Sequence, residues 1–244
     1  MNEANILKYS FKEMFKHPVV FTPNILLFVW NIIALLFYGQ ITDWNFLSGI
    51  YWWQTLIYLA VVLLVDNYIV SCKYAILRKL VQRKKITLKN VMTFADKHFL
   101  DILKVHALTF SIITLPFILL VKLSALSNTL SFILSICIVA YLVLMSIRLL
   151  FIYPELVFHE KGVMKSITKE MHFTKTHSFH THVVWITTLS ILFLIDVVQS
   201  VINSLGMLIL FGTIMIIGLE IFVSVWEHMY IFAAYSKTKL NKQK

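Results

Sequence analysis

Six stretches of this 244-residue chain are too long and too apolar for the interior of a water-soluble fold. A helix crosses the roughly 30 Å of bilayer hydrocarbon with about 20 predominantly apolar residues. Lipid offers the backbone no hydrogen-bond partner, so a spanning segment must satisfy its own amides. The apolar runs predict transmembrane helices over about 23–41, 46–72, 105–121, 129–150, 183–203 and 207–235. The expected fold is therefore all-α, a polytopic membrane bundle forming one domain over 1–244. Composition agrees: 59% of residues are apolar and only 14% charged, with mean hydropathy +0.80, whereas soluble domains are nearer half apolar and a quarter charged. Tyr51-Trp52-Trp53 reads as an interfacial aromatic belt.

Three intervening segments are amphipathic and too charged to span. In 3–17, Ala4, Leu7, Phe11, Met14 and Phe15 share a helical face opposite Asn5, Lys12, Glu13 and Lys16. His17-Pro18 ends it, because the residue before a proline leaves the α region. Thr87 can cap 88–104, where Leu88, Met92, Ala95, Phe99, Ile102 and Leu103 oppose Lys97, Asp101 and Lys104. In 163–178, after a turn at Tyr153-Pro154, Val163, Met164, Ile167 and Met171 oppose Lys165, Lys169 and His172. All three are expected to be interfacial helices. Each precedes two spans, which suggests a faint repeat of one helix plus one hairpin.

Charge orients the bundle. Of the 22 Lys and Arg, 21 fall in the N-terminal segment, residues 73–104, residues 148–175 and the tail; only Lys122 lies across the spans. The positive-inside rule then places both termini and both large loops in the cytoplasm, at the cell membrane. The formal charge of +10 is read as attraction to anionic headgroups, chiefly by Arg78, Lys79, Arg83, Lys84 and Lys85. No RNA or DNA motif accompanies it, so nucleic acid is excluded as partner. No cleavable signal precedes the first span. Cys72 and Cys137 form neither a disulfide framework nor a zinc signature.

Ionisable groups inside a membrane cost about 2.5–3.5 kcal/mol on insertion scales, so they are functional candidates. Asp66, Asp196, Glu220 and Glu227 qualify. Asp196, Gln199 and Asn203 form a polar stripe, and Glu220 and Glu227 share a face. By depth, Arg148 is expected to pair with Asp66 or Glu227, an arrangement read first as structural and second as a polar or proton pathway. His177, His180 and His182 have the spacing of weak metal candidates, but no Cys or acid accompanies them, and interfacial contact with anionic headgroups is the plainer reading. No G-x-S-x-G, H-E-x-x-H, phosphate-loop or EF-hand pattern occurs. No cofactor, no metal and no catalytic residue are expected.

Three stretches, FKHPVVFTPNILL, LRKLVQRKKITLKNVMTFADKHF and RLLFIYPELVFHEKGVMKSITKEMHFTKTH, resemble a broad group of prokaryotic six-helix membrane proteins of unassigned function. That group includes the membrane domain attached to some glycerophosphodiester phosphodiesterases. Arg148, Pro154, Glu160 and Gly162 match its third-loop pattern, with Ser166-Ile167 near the helix start; Lys175-Thr-His177 replaces its Lys-Gly. The resemblance implies architecture. It implies no hydrolysis, because the phosphodiesterase barrel is missing.

The expected function is that of a non-enzymatic multi-pass membrane protein, an accessory or scaffold subunit or a lipid-organising factor. Its partners would be anionic membrane lipids and other membrane subunits. The alternative is a small transporter or channel using the intramembrane acids; a lipid-acting enzyme would have to draw on His172–His182.

Overall fold

A computed structural model of the protein describes residues 3–42, 52–124, 129–159, 162–204 and 209–240. Among these residues the structure is 94% helical with no strands. The expected loop around Asp43 and Trp44, Tyr51 of the aromatic belt, and Glu160 lie outside the described residues.

The helices are α1 (Glu3–Lys16), α2 (Thr22–Thr42), α3 (Trp52–Val81), α4 (Leu88–Thr109), α5 (Leu115–Ser124), α6 (Thr129–Arg148), α7 (Ile152–His159), α8 (Val163–Thr176), α9 (Ser178–Ser204) and α10 (Ile209–Leu240). Six helical segments are long and apolar enough to cross a membrane: Pro18–Phe37, Ile57–Val81, Leu88–Leu123, Thr129–His159, Ser178–Val201 and Ile214–Thr238. The six-span reading thus stands at the level of length and composition.

Local boundaries differ where the chain is basic. α3 does not end near Cys72 but continues to Val81, because nothing between Asp66 and Gln82 breaks a helix. Thr87 does cap α4, its side chain accepting from the Asn90 amide at 3.4 Å. However, α4 has no boundary at Lys104, where a surface helix was expected to give way to a span. It runs to Thr109 and passes through a π-turn, Phe110–Thr114, into α5. Pro116 accounts for the turn: it lacks the amide that would bond four residues back, so the helix widens ahead of it. The Leu115 amide donates to the Phe110 carbonyl. The expected turn at Tyr153-Pro154 is instead α7, whose first turn tolerates a proline. α9 begins at Ser178, five residues before the expected span.

The packed core gathers at one end of the bundle, the end that carries α1, α7 and α8. Met14, Leu77, Ile102, Ile152, Leu156, Met229 and Phe232 are all nearly inaccessible there. We call this the basic end. α3, α7 and α10 pack on one another; around them α1 packs on α10, α4 on α3 and α8 on α6. Away from this end the spans expose broad apolar surfaces, as at Leu35 and Leu36 of α2 and at Leu130, Phe132 and Ile136 of α6.

The buried faces of the three charged helices are rotated from the expected apolar ones. α1 buries Ile6, Ser10 and Met14 and leaves Phe11 and Phe15 half-exposed. α4 buries Val91, Ala95, His98, Ile102 and Val105 and exposes Leu88 and Met92. α8 buries Ser166, Glu170, Phe173 and Thr174, while Met164 and Met171 face outward. The protein-facing side of each is set by which groups find partners, not by apolarity alone.

Candidate functional site

The basic end encloses a polar cluster where α3, α4, α7 and α10 meet. Lys73 on α3 is 5% exposed, and its Nζ donates to Ser224 Oγ of α10 at 3.3 Å. It also lies within electrostatic reach of Glu227, one turn further along α10. His228, next in sequence, bonds the Ser224 carbonyl through Nδ1 at 2.7 Å. The Tyr74 ring lies 6.1 Å from that of His228 and 4.9 Å from that of Tyr153 on α7. The Tyr153 ring in turn meets His106 of α4 at 5.1 Å. The His106 Nδ1–H donates to Asn67 Oδ1, whose own amide donates to the Leu63 carbonyl at 2.7 Å. One path of polar and aromatic groups therefore runs across all four elements.

A second layer of buried acids lies beside it. Glu170, fully buried on α8, accepts from the Phe151 amide at 2.9 Å and from Thr174 Oγ1 at 3.1 Å. It supplies an acceptor just before the first turn of α7, where backbone amides have no intrahelical partner. Glu155 of α7, also fully buried, accepts from the Tyr235 hydroxyl of α10 and stands 3.8 Å from His159. Both acids tie α7 to its neighbours.

The expected pairs do not form. Arg148 is exposed at the end of α6 and makes no ion pair among the described residues. It reaches neither Asp66 nor Glu227, because helix rotation, which depth does not specify, turns it outward. Lys73 is the cation beside Glu227. The Asp66 Oδ1 is buried without a hydrogen bond. Asp196 is exposed on α9, and Gln199 donates to Glu220 Oε1 of α10 at 2.7 Å, which splits the expected stripe. Asn203 lies outside the residues whose side chains are described.

The histidines diverge. His177 stacks on Phe173 at 4.5 Å, His180 contacts Thr238 Oγ1 at 2.7 Å, and His182 bonds the Ser178 carbonyl at 2.7 Å. No three His, Cys, Asp or Glu among the described residues converge on one point. Of the basic run, Arg78 lies 5.4 Å over the Phe94 ring, so it packs against α4; Arg83, Lys84 and Lys85 are exposed.

Sequence reasoning missed Lys73, Glu155 and Glu170. Lys73 was counted with a loop, though unbroken helical sequence on both sides places it inside α3. Glu155 and Glu170 sit fifteen residues apart in a stretch read as surface, and nothing in their spacing marks them as buried. The chain matches no protein-family profile, no curated protein and no solved structure.

Proposed function

We propose that the protein is a non-enzymatic accessory subunit of the cytoplasmic membrane, with both termini and the basic end inside. One observation carries this reading. Asp196 is exposed on the outer face of α9, beside the similarly outward Gln199–Glu220 hydrogen bond. Counting about 1.5 Å per residue, Asp196 lies some 20 Å into the span from residue 183. An acid facing hydrocarbon is costly, and a hydrogen-bond donor on a neighbouring membrane helix removes the cost. The occupant we infer is a membrane helix that presents such a donor. The resemblance to six-helix proteins of unassigned function accords with this and adds no activity.

The test is Asp196→Leu. If the face meets a partner helix, the variant loses the larger assembly that native mass spectrometry detects in lipid nanodiscs. If the face meets lipid, the variant is a monomer like the parent and more stable in detergent, and the proposal fails.

The polar path from Lys73 to Asn67 favours a second reading, a proton or small-solute transporter. Proteoliposomes would decide it. A pH- or ion-driven uptake that is abolished by both Lys73→Met and Glu227→Gln supports transport; no gradient dissipation above empty vesicles counts against it.

A further inference from the structure

A groove of about 910 Å³ runs between the basic-end half of α6 and the junction of α8 with α9. Its wall changes character along its length. Ala140, Val143, Leu144 and Ile147 make an apolar strip on α6, and Arg148, His172, Lys175 and His182 make the rim. From Ala140 to Arg148 is about 12 Å along the helix, the distance over which an acyl chain gives way to a headgroup.

The rim is cationic. Among the described residues no carboxylate lines the groove. Arg148 and Lys175 are exposed and pair with no acid among the described residues. Glu170, the acid nearest Lys175 in sequence, is fully buried and accepts from the Phe151 amide and from Thr174. His182 commits Nδ1 to the Ser178 carbonyl, which leaves Nε2 for a ligand. The contrast with another basic groove, between α1 and the loop after α3, is direct. There Glu13 stands 3.4 Å from Lys16 and 3.6 Å from His17, so part of the charge is already satisfied.

We propose that this groove binds one phospholipid of net negative charge from the bilayer. Its phosphate sits between Arg148 and Lys175, and an acyl chain lies along Ala140, Val143 and Leu144. The apolar strip is continuous with the lipid-facing surface of α6, where Val139, Val143 and Leu144 are exposed, so the ligand enters sideways from the membrane. A guanidinium and an ammonium together hold a phosphate by charge-assisted hydrogen bonds. The inference deepens the membrane reading above but does not depend on a partner at Asp196. Asp196→Leu can lose its assembly while lipid selection persists, and the reverse.

The experiment is native mass spectrometry of the full chain offered equal amounts of phosphatidylglycerol and phosphatidylcholine. The unsubstituted protein should retain one phosphatidylglycerol with about a thirtyfold preference, the scale set by two basic residues near an anionic headgroup. Arg148→Gln with Lys175→Gln should bring the preference near one, while Lys16→Gln with Lys84→Gln leaves it unchanged. Both Arg148 and Lys175 are exposed, so folding tolerates the change. Photoactivatable phosphatidylglycerol should also label the unsubstituted chain at Val143 and Leu144. Equal retention of the two lipids overturns the proposal, as does a preference that survives the double substitution. So does label spread evenly over the spans, displacement of the lipid by millimolar inorganic phosphate, or a dimer that buries the groove.

Discussion

Lys73 is buried and Glu227 half-buried, and the two interact electrostatically across α3 and α10. Removing one partner of a buried pair leaves an uncompensated charge, at a cost of about 3–5 kcal/mol; replacing both by apolar groups is often nearly neutral. Lys73→Met and Glu227→Leu should each lower thermal stability in detergent strongly, and the double variant should recover most of the loss. Additive losses would show that the two residues do not act as a pair. Arg148→Ala, by contrast, removes an exposed side chain and should stay within about 0.5 kcal/mol. The residue scale is also where sequence reading was weakest. Depth along a helix follows from 1.5 Å per residue, and it correctly put Glu227 near the basic end. Which cation it meets depends on rotation about the helix axis, and that angle is fixed by packing among α3, α7 and α10. So Arg148 faces outward, while Lys73, the cation beside Glu227, lay hidden in an apparent loop.

Among the elements, the spans were legible because hydrophobic length alone selects them, and Thr87 was legible because a cap has a local chemistry. The faces of α1, α4 and α8 were not. A helix at a water–lipid–protein junction has three surroundings, and a two-sided apolar pattern cannot say which apolar residues meet protein and which meet lipid. α8 shows the outcome: its protein face is Ser166, Glu170, Phe173 and Thr174, because Glu170 is needed at the start of α7. That leaves Met164 at 75% exposed and, just beyond, Phe179 at 84% exposed. Exposed apolar residues beside a cationic face fit the boundary between headgroups and acyl chains. A tryptophan placed by Met164→Trp or Phe179→Trp should be quenched by brominated lipid, and one placed by Lys97→Trp should not. Equal quenching at all three positions would remove the interfacial assignment. Pro116 makes the complementary point, since a proline inside a span was visible in the sequence and its consequence, a π-turn that joins α4 to α5, was not.

At the scale of the whole molecule, α1 and α10 pack together. α3 and α10 are long continuous helices, and α6 with α7 forms their interrupted counterpart; the basic-end parts of all three meet at the centre. Each of α4 and α8 packs on the long helix that precedes it in the chain. α1 packs on α10, the last helix described, and so joins elements far apart in the sequence. The contact is specific: Lys237 Nζ stands 3.7 Å from the Tyr9 ring centroid, and Phe11 meets Phe222 and Trp226 edge-on at 6.0 and 5.4 Å. Met14, on the buried face of α1, is completely inaccessible. If α1 were a peripheral surface helix, truncating Met14 would matter no more than truncating Leu36, which is 66% exposed on α2. Packed into the basic end, it shares its core with Leu77 and Met229. Met14→Ala should therefore cost about 2–5 kcal/mol, the range for emptying a packed interior site, and should lower the unfolding temperature in detergent about as much as Leu77→Ala. Leu36→Ala should leave it nearly unchanged. A Met14→Ala protein as stable as Leu36→Ala would mean that α1 is only an appendage to α10.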